Sequence, residues 1–272
     1  MNIKFFAPRW GNTQNWNDFL LRAKRDGYDG AEVNIHADAT PQQLDAMWND
    51  AVRHDMQLIA QHSKTNDADF NLHADNYSKW FDLVAPYDWR IINTQTGKDY
   101  FSFEQNKQLV EIAAGHSKKY NVPVLHETHR NKFSFAAHIT REYLQSIPGL
   151  TLTLDISHWV TVAESFLQDQ QEAVDLALAR TGHLHARVGY TQGPQVPDPR
   201  IPEWEVALNH HLGWWDKVIV NKKAEGAAEF TICPEFGSFP CMFHLPATGQ
   251  PVVDQWELNL FIMELLSERY PS

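Results

Sequence analysis

Four stretches of this chain run as apolar strands and finish in residues that bind metals or move protons. In Gly182-His-Leu-His-Ala-Arg187, His183, His185 and Arg187 share one face, because strand side chains alternate with period two. Val122-Pro-Val-Leu-His-Glu127 leads into His129 and Arg130. Leu152-Thr-Leu-Asp155 leads into His158, and Phe230-Thr-Ile-Cys-Pro-Glu235 leads into Gly237. A lone glutamate at a strand end is more often a cap or an ion-pair partner. Carboxylates and imidazoles ending four successive strands point instead to one metal site at the shared end of a parallel sheet.

Such a site needs a scaffold that brings strand ends together. Trp16, Phe19, Leu20 and Ala23 follow helical spacing after a first strand that ends near Pro8-Arg9-Trp10. Strand two is Gly30-Ala-Glu-Val-Asn-Ile35. Thr40-Pro-Gln-Gln43 and Ser102-Phe-Glu-Gln105 are capping boxes that open helices. Strand three ends at His62 and strand four at Gln95. Helices are expected around 74–84, 136–145, 169–180 and 203–223, the last with a break at Gly213. Strand and helix alternate eight times, which predicts parallel pairing. At 272 residues, close to the roughly 250 typical of a β/α barrel, this predicts an α/β fold of one eight-stranded (β/α)8 TIM barrel over residues 1–272. No G-x-G-x-x-G opens the first helix, which counts against the alternative of an open doubly wound sheet, and no cofactor-binding residues besides the metal ligands are expected.

Composition narrows the partners. A formal charge of −11 disfavours a broad phosphate-binding surface, so no nucleic acid is expected. No apolar run reaches 18 residues, so no membrane span is expected, and the start reads as a strand and not as a signal peptide. The two cysteines, Cys233 and Cys241, fit a reducing compartment, and the expected location is cytoplasmic. Cys233 reads as a small buried residue. A homo-oligomer is left open.

In this order the motifs resemble the xylose-isomerase-like TIM-barrel superfamily, in its sugar phosphate isomerase/epimerase branch. His126-Glu-Thr-His-Arg130, the D-x-x-H of Asp155-Ile-Ser-His158, Gly182-His-Leu-His185 and Pro234-Glu-Phe-Gly237 carry the resemblance. It implies that Glu127, Asp155, His185 and Glu235 bind one divalent metal. It implies that Glu127 and Glu235 also exchange protons with substrate, and that His158 contacts it. The family's epimerases place an arginine several residues after the strand-seven histidine. Here Arg187 follows after one residue, and Thr191 holds the later place.

Three carboxylates and an imidazole favour Mn²⁺, Mg²⁺ or Co²⁺, with Zn²⁺ open. The chemistry implied is isomerisation or epimerisation through an enediolate. Expulsion of a β-hydroxyl from the same species would make the protein a dehydratase of an inosose or keto-sugar. An abasic-site endonuclease is disfavoured, because strand four offers Gln95 and the loop after strand seven offers Asp198 and Arg200 where those relatives carry further histidines. A non-catalytic sugar-binding barrel would not need both Glu127 and Glu235. No glycine-rich phosphate cradle follows strand seven, so the expected substrate is an unphosphorylated sugar, cyclitol or keto-sugar. His62, Gln95, His129 and Trp10 are further candidates for substrate contact. Trp159 could stack on a sugar ring, with packing the commoner role, and Trp214-Trp215 should pack a helix. Pro194, Pro197, Pro199 and Pro202 should stiffen loop 189–202, with Arg187 at its entrance directing a guanidinium at a substrate oxygen.

Overall fold

A computed structural model describes residues 1–271. Eight strands run in sequence order around a closed barrel: β1 (Asn2–Pro8), β2 (Gly30–Asn34), β3 (Gln57–His62), β4 (Ile91–Thr94), β5 (Val124–Glu127), β6 (Leu152–Leu154), β7 (Thr181–His185) and β8 (Glu229–Cys233). Every neighbouring pair is parallel, and β8 closes onto β1. Around them lie α1 (Trp16–Arg25), α2 (Pro41–Arg53), α3 (Phe70–Val84), α4 (Phe103–Tyr120), α5 (Ala137–Ser146), α6 (Ser157–Ala163), α7 (Gln171–Ala179), α8 (Glu205–Ala224) and α9 (Gln255–Arg269). The alternation thus gives the (β/α)8 barrel it predicted.

Both capping boxes form as expected, Thr40 with Gln43 and Ser102 with Gln105. Three helical details differ from the sequence expectation. Helix α3 starts earlier, at Phe70, because the Asp69 side chain accepts the Leu72 N–H at 2.9 Å. Helix α8 runs without a break through Gly213, since Leu212, Trp214 and Trp215 bury and outweigh a glycine cost of about 1 kcal/mol. Helix α6, not foreseen, begins two residues after Asp155 and carries His158. Among the described residues no helix is long and apolar enough to cross a membrane.

Alternation along the strands sorts the interior. Leu58, Ala60, Ile92, Leu154, Leu184 and Ile232 point outward and join Phe19, Phe81 and Trp215 in the layer between sheet and helices. Inside the barrel, Phe6, Ile59, Ile91, Leu125 and Cys233 form a separate apolar cluster. One step or more further along the same faces come Gln61, Asn93 and Glu127. The barrel therefore has a dry floor and a polar end at the C-terminal tips of its strands, where β/α barrels build their sites.

Gly30 makes that floor possible. A Cβ there would lie 2.3 Å from the Gln57 carbonyl oxygen and 2.5 Å from the Phe6 ring. Backbone on the next strand cannot retreat without disturbing pairing. Gly30→Ala should lower unfolding free energy by about 1–3 kcal/mol, the usual cost of overpacking. Urea denaturation checks this, and an unchanged midpoint would contradict the packing described.

Candidate metal centre and its cavity

The strand ends converge on a cavity of about 490 Å³. Its wall includes Trp10, Gln61, Gln95, Glu127, His129, Arg187 and Glu235. Beneath and beside it lie four buried carboxylates, those of Glu32, Glu127, Asp155 and Glu235. How each is satisfied decides what the site can do.

Glu127 closes β5 and faces inward because Leu125 does. Its oxygens accept from Asn93 Nδ2 at 3.0 Å, Gln95 Nε2 at 3.0 Å and Gln61 Nε2 at 3.3 Å. No cation pairs with it directly. Burial, and behind it the negative charges of Glu235, Asp155 and Glu32, push its carboxyl up to about 7 against the pull of His185.

Glu235 follows Pro234 past the end of β8. Its Oε2 lies 2.9 Å from His185 Nδ1 and 3.7 Å from the Arg187 guanidinium. Burial opposes its charge, but these two cations prevail and hold the carboxyl below its usual value. His185 sits between Glu235 and Glu32, whose oxygens both lie 3.0 Å from Nε2. Burial disfavours a charged imidazole; the two flanking carboxylates overcome this and raise His185 well above its ordinary value.

Asp155 stands apart. Thr128 clamps its backbone, accepting the Asp155 N–H at 2.8 Å and donating to its carbonyl at 2.9 Å. One carboxylate oxygen takes the Ser157 N–H and hydroxyl, and the other is ion-paired with Arg187. Arg187 also donates to His158 Nε2 at 2.8 Å. Burial works against the guanidinium charge, but Asp155 and Glu235 hold it above its usual range. Burial likewise keeps His158 and His129 neutral: the first is held well below its ordinary value and the second is pushed to about 3. Their rings lie 4.0 Å apart.

Ligand-type atoms within 4.8 Å of one another fall into three buried or near-buried groups among the described residues. They are Glu127 with His185 and Glu235, Glu32 with His183 and His185, and Glu127 with His129 and His158. The first group suits a cation. His185 Nδ1 and Glu235 Oε2 are both buried, close, and without a hydrogen bond of proper alignment, so a metal could take Glu235 Oε2 and, by displacing its proton, His185 Nδ1. The expected set of four meets three residues here, since Arg187 and Ser157 engage Asp155.

Other expectations meet the structure in different ways. His62, expected to contact substrate, points out of the barrel, bonded to Thr65 and Thr94 and packed on Tyr77 and Trp80, and Gln61, one residue earlier, faces the cavity in its place. Trp10 lines the cavity with its indole packed against Gly237, where a Cβ would come within 1.8 Å of the ring. Trp159 is fully buried and donates to the Ser134 carbonyl at 2.8 Å. Loop 189–202 is pinned to the end of β8 by Gln195, which accepts the Gly237 N–H at 2.8 Å and donates to its carbonyl at 3.2 Å. Arg187 lines the cavity, but its guanidinium is held by Asp155 and His158. Sequence reading missed Glu32, Gln61 and Asn93. The available signal was strand phase, which puts Asn93 in line with Gln95 and makes Glu32 a charge between the outward Ala31 and Val33.

The proton on Glu127 gives a pH signature. An unfolded glutamate ionises at about 4.3, so between there and about 7 the folded state holds a proton that the unfolded state has lost. The stability linked to this group is therefore full at low pH and is lost as pH rises through about 7. In metal-free protein, Glu127→Gln should gain about 2 kcal/mol relative to wild type between pH 5 and pH 8. Urea unfolding at both pH values measures it; parallel pH dependence in the two proteins would contradict the assignment.

No family model and no curated protein matches the sequence. Solved structures do. A probable 3-DHS dehydratase, AsbF of Bacillus anthracis, involved in petrobactin synthesis, superposes with TM-score 0.61 at 17% identity, covering 99% of this chain and 100% of that one. A sugar phosphate isomerase/epimerase from Parabacteroides distasonis gives 0.58 at 12% identity over 97% and 93%. A family 2 AP endonuclease from Brucella melitensis gives 0.55 at 13% identity over 85% and 92%. The chain shares the TIM-barrel fold of these three proteins.

Proposed function

We propose that this protein is a divalent-metal-dependent sugar isomerase or epimerase that moves a proton beside the carbonyl of a small polyhydroxylated substrate. One observation carries the reading. Two buried glutamates face one cavity, and their surroundings drive their proton affinities apart, Glu127 up to about 7 and Glu235 below the usual range. Such a split is how a pair of carboxyls acquires opposite roles. Glu235, ionised, is the group that takes the proton. Glu127, whose proton affinity burial raises, is the group that returns one.

Glu127, His185 and Glu235 would hold the ion, and their oxygen-rich donor set favours Mn²⁺, Mg²⁺ or Co²⁺, with Zn²⁺ open. When bound, the ion supplies Lewis acidity that polarises a carbonyl and its neighbouring hydroxyl. Arg187 holds Asp155 and forms one side of the cavity, its guanidinium also donating to His158 Nε2. Gln61, Gln95 and His129 offer polar contacts to hydroxyls, and Trp10 offers a flat apolar face to a ring. The substrate is an unphosphorylated sugar, cyclitol or keto-sugar, and the setting is cytoplasmic carbohydrate metabolism.

Dehydration is the second reading. A carboxyl that keeps its proton to about pH 7 is suited to protonating a departing hydroxyl, and the likeness to the AsbF fold agrees with it.

Incubation with Mn²⁺ and a panel of ketoses, inososes and keto-glycosides in deuterated water, read by NMR, separates the readings. Deuterium at the carbon beside the carbonyl marks isomerase or epimerase chemistry; a new enone marks dehydration. Glu235→Gln should cut turnover at least about a hundredfold, as loss of a general base does. Its metal uptake should fall far less, because the amide oxygen still coordinates. Near-normal turnover in Glu235→Gln would show that this residue carries no proton.

A further inference from the structure

We infer that Glu32, on the inward face of β2, is a positioning residue that fixes which ring nitrogen His185 offers to the Glu127 and Glu235 cluster. The inference rests on the metal reading above. Glu32 is buried and lies outside the cavity wall, so it is not placed to touch substrate. Its carboxylate accepts from Asn93 Nδ2 at 2.9 Å, from His183 Nε2 at 3.1 Å and from His185 Nε2 at 3.0 Å.

Proton counting fixes the direction of the last bond. Asn93 Nδ2 has two hydrogens, and its two nearest acceptors are Glu32 at 2.9 Å and Glu127 at 3.0 Å, with His185 Nε2 farther off at 3.4 Å. Turning that amide over would aim its oxygen at two carboxylates. The proton between Glu32 and His185 therefore belongs to the imidazole, as Nε2–H. A bare ring nitrogen there would set two acceptors against each other in a buried place. A neutral imidazole has one N–H, so with Nε2 protonated the lone pair lies on Nδ1. That atom is 2.9 Å from Glu235 Oε2, on the cluster side of the ring.

Glu32 is itself held on the far side. His183 Nδ1 lies 2.7 Å from the Thr231 hydroxyl and 3.0 Å from the Thr231 carbonyl, which orients the ring so that its Nε2 meets Glu32 at 3.1 Å. The carboxylate is thus fixed by donors from β4 and β7, and it cannot swing away from His185. Metal-binding imidazoles commonly donate their other N–H to a carboxylate, and loss of that partner costs about 10–100-fold in affinity.

The test uses Mn²⁺ and Zn²⁺ alone as probes. In Zn²⁺-loaded wild type, long-range proton–nitrogen NMR should show His185 protonated at Nε2 and coordinated at Nδ1, its signals assigned by their loss in His185→Asn. By electron paramagnetic resonance titration, Glu32→Gln should bind Mn²⁺ about 10–100-fold more weakly. Coordination through Nε2 overturns the inference, as does a folded Glu32→Gln with wild-type Mn²⁺ affinity. If Glu32→Gln does not fold, the wild-type NMR decides alone. Failure of wild type to bind either ion overturns both the inference and the metal reading, whereas tight wild-type binding with an indifferent Glu32→Gln overturns the role of Glu32 only.

Discussion

Four carboxylates are buried at one end of this barrel, and among the described residues His185 and Arg187 are the basic groups that each stand beside two of them. That imbalance is the constraint on which the rest depends. A buried carboxylate without a partner is costly, and it finds a cation, a set of N–H donors or a proton. Arg187 takes Asp155, with Glu235 at its margin. His185 is shared between Glu32 and Glu235. Glu127 is left with amide donors alone, and so it keeps its proton far above the ordinary range. The differing behaviour of the two glutamates in the cavity is thus a consequence of how two positive charges are divided. A divalent ion at Glu127, His185 and Glu235 would supply the charge that this division lacks.

The scaffold makes the imbalance tolerable. Gly30 leaves room for the Phe6 ring, which with Ile59, Ile91, Leu125 and Cys233 seals the barrel floor. Polar groups on the same strand faces begin just above. Asn93 ties Glu32 to Glu127, and Gln61 reaches both Glu127 and Glu235. Loop 189–202 is stitched to Gly237 through Gln195, and Gly237 in turn seats Trp10. Few of these groups are free to move independently. A site so connected holds its carboxylates at fixed separations, which suits both ion binding and proton transfer at a defined carbon.

Much of this was legible in sequence because strands and helices differ in period and because a parallel barrel gathers strand ends. Glu127, His185 and Glu235 each end or follow a strand, and the barrel brings them together. What escaped notice has one physical cause. A strand end marks a position, and only the phase of the whole strand says which of two adjacent residues faces the cavity. Phase puts Gln61 inward and His62 outward, and it places Asn93 beneath Gln95. It also puts Glu32 inside the barrel, where a charge flanked by Ala31 and Val33 needs partners that only tertiary structure supplies. The pairing of Arg187 with Asp155 was not legible at all, since it depends on the short helix α6, whose Ser157 and His158 complete the arrangement. The three missed polar residues make no motif of their own. They are recognisable only as donors and acceptors to groups on other strands.

The central claim is that one divalent ion belongs at the junction of β5, β7 and β8. A crystal structure of Mn²⁺-soaked protein, with the metal located by its anomalous scattering, tests it most directly. Expected is a single strong anomalous peak within about 2.0–2.4 Å of Glu127, His185 and Glu235 ligand atoms. No peak at that junction, or Mn²⁺ held only by surface carboxylates, would contradict it.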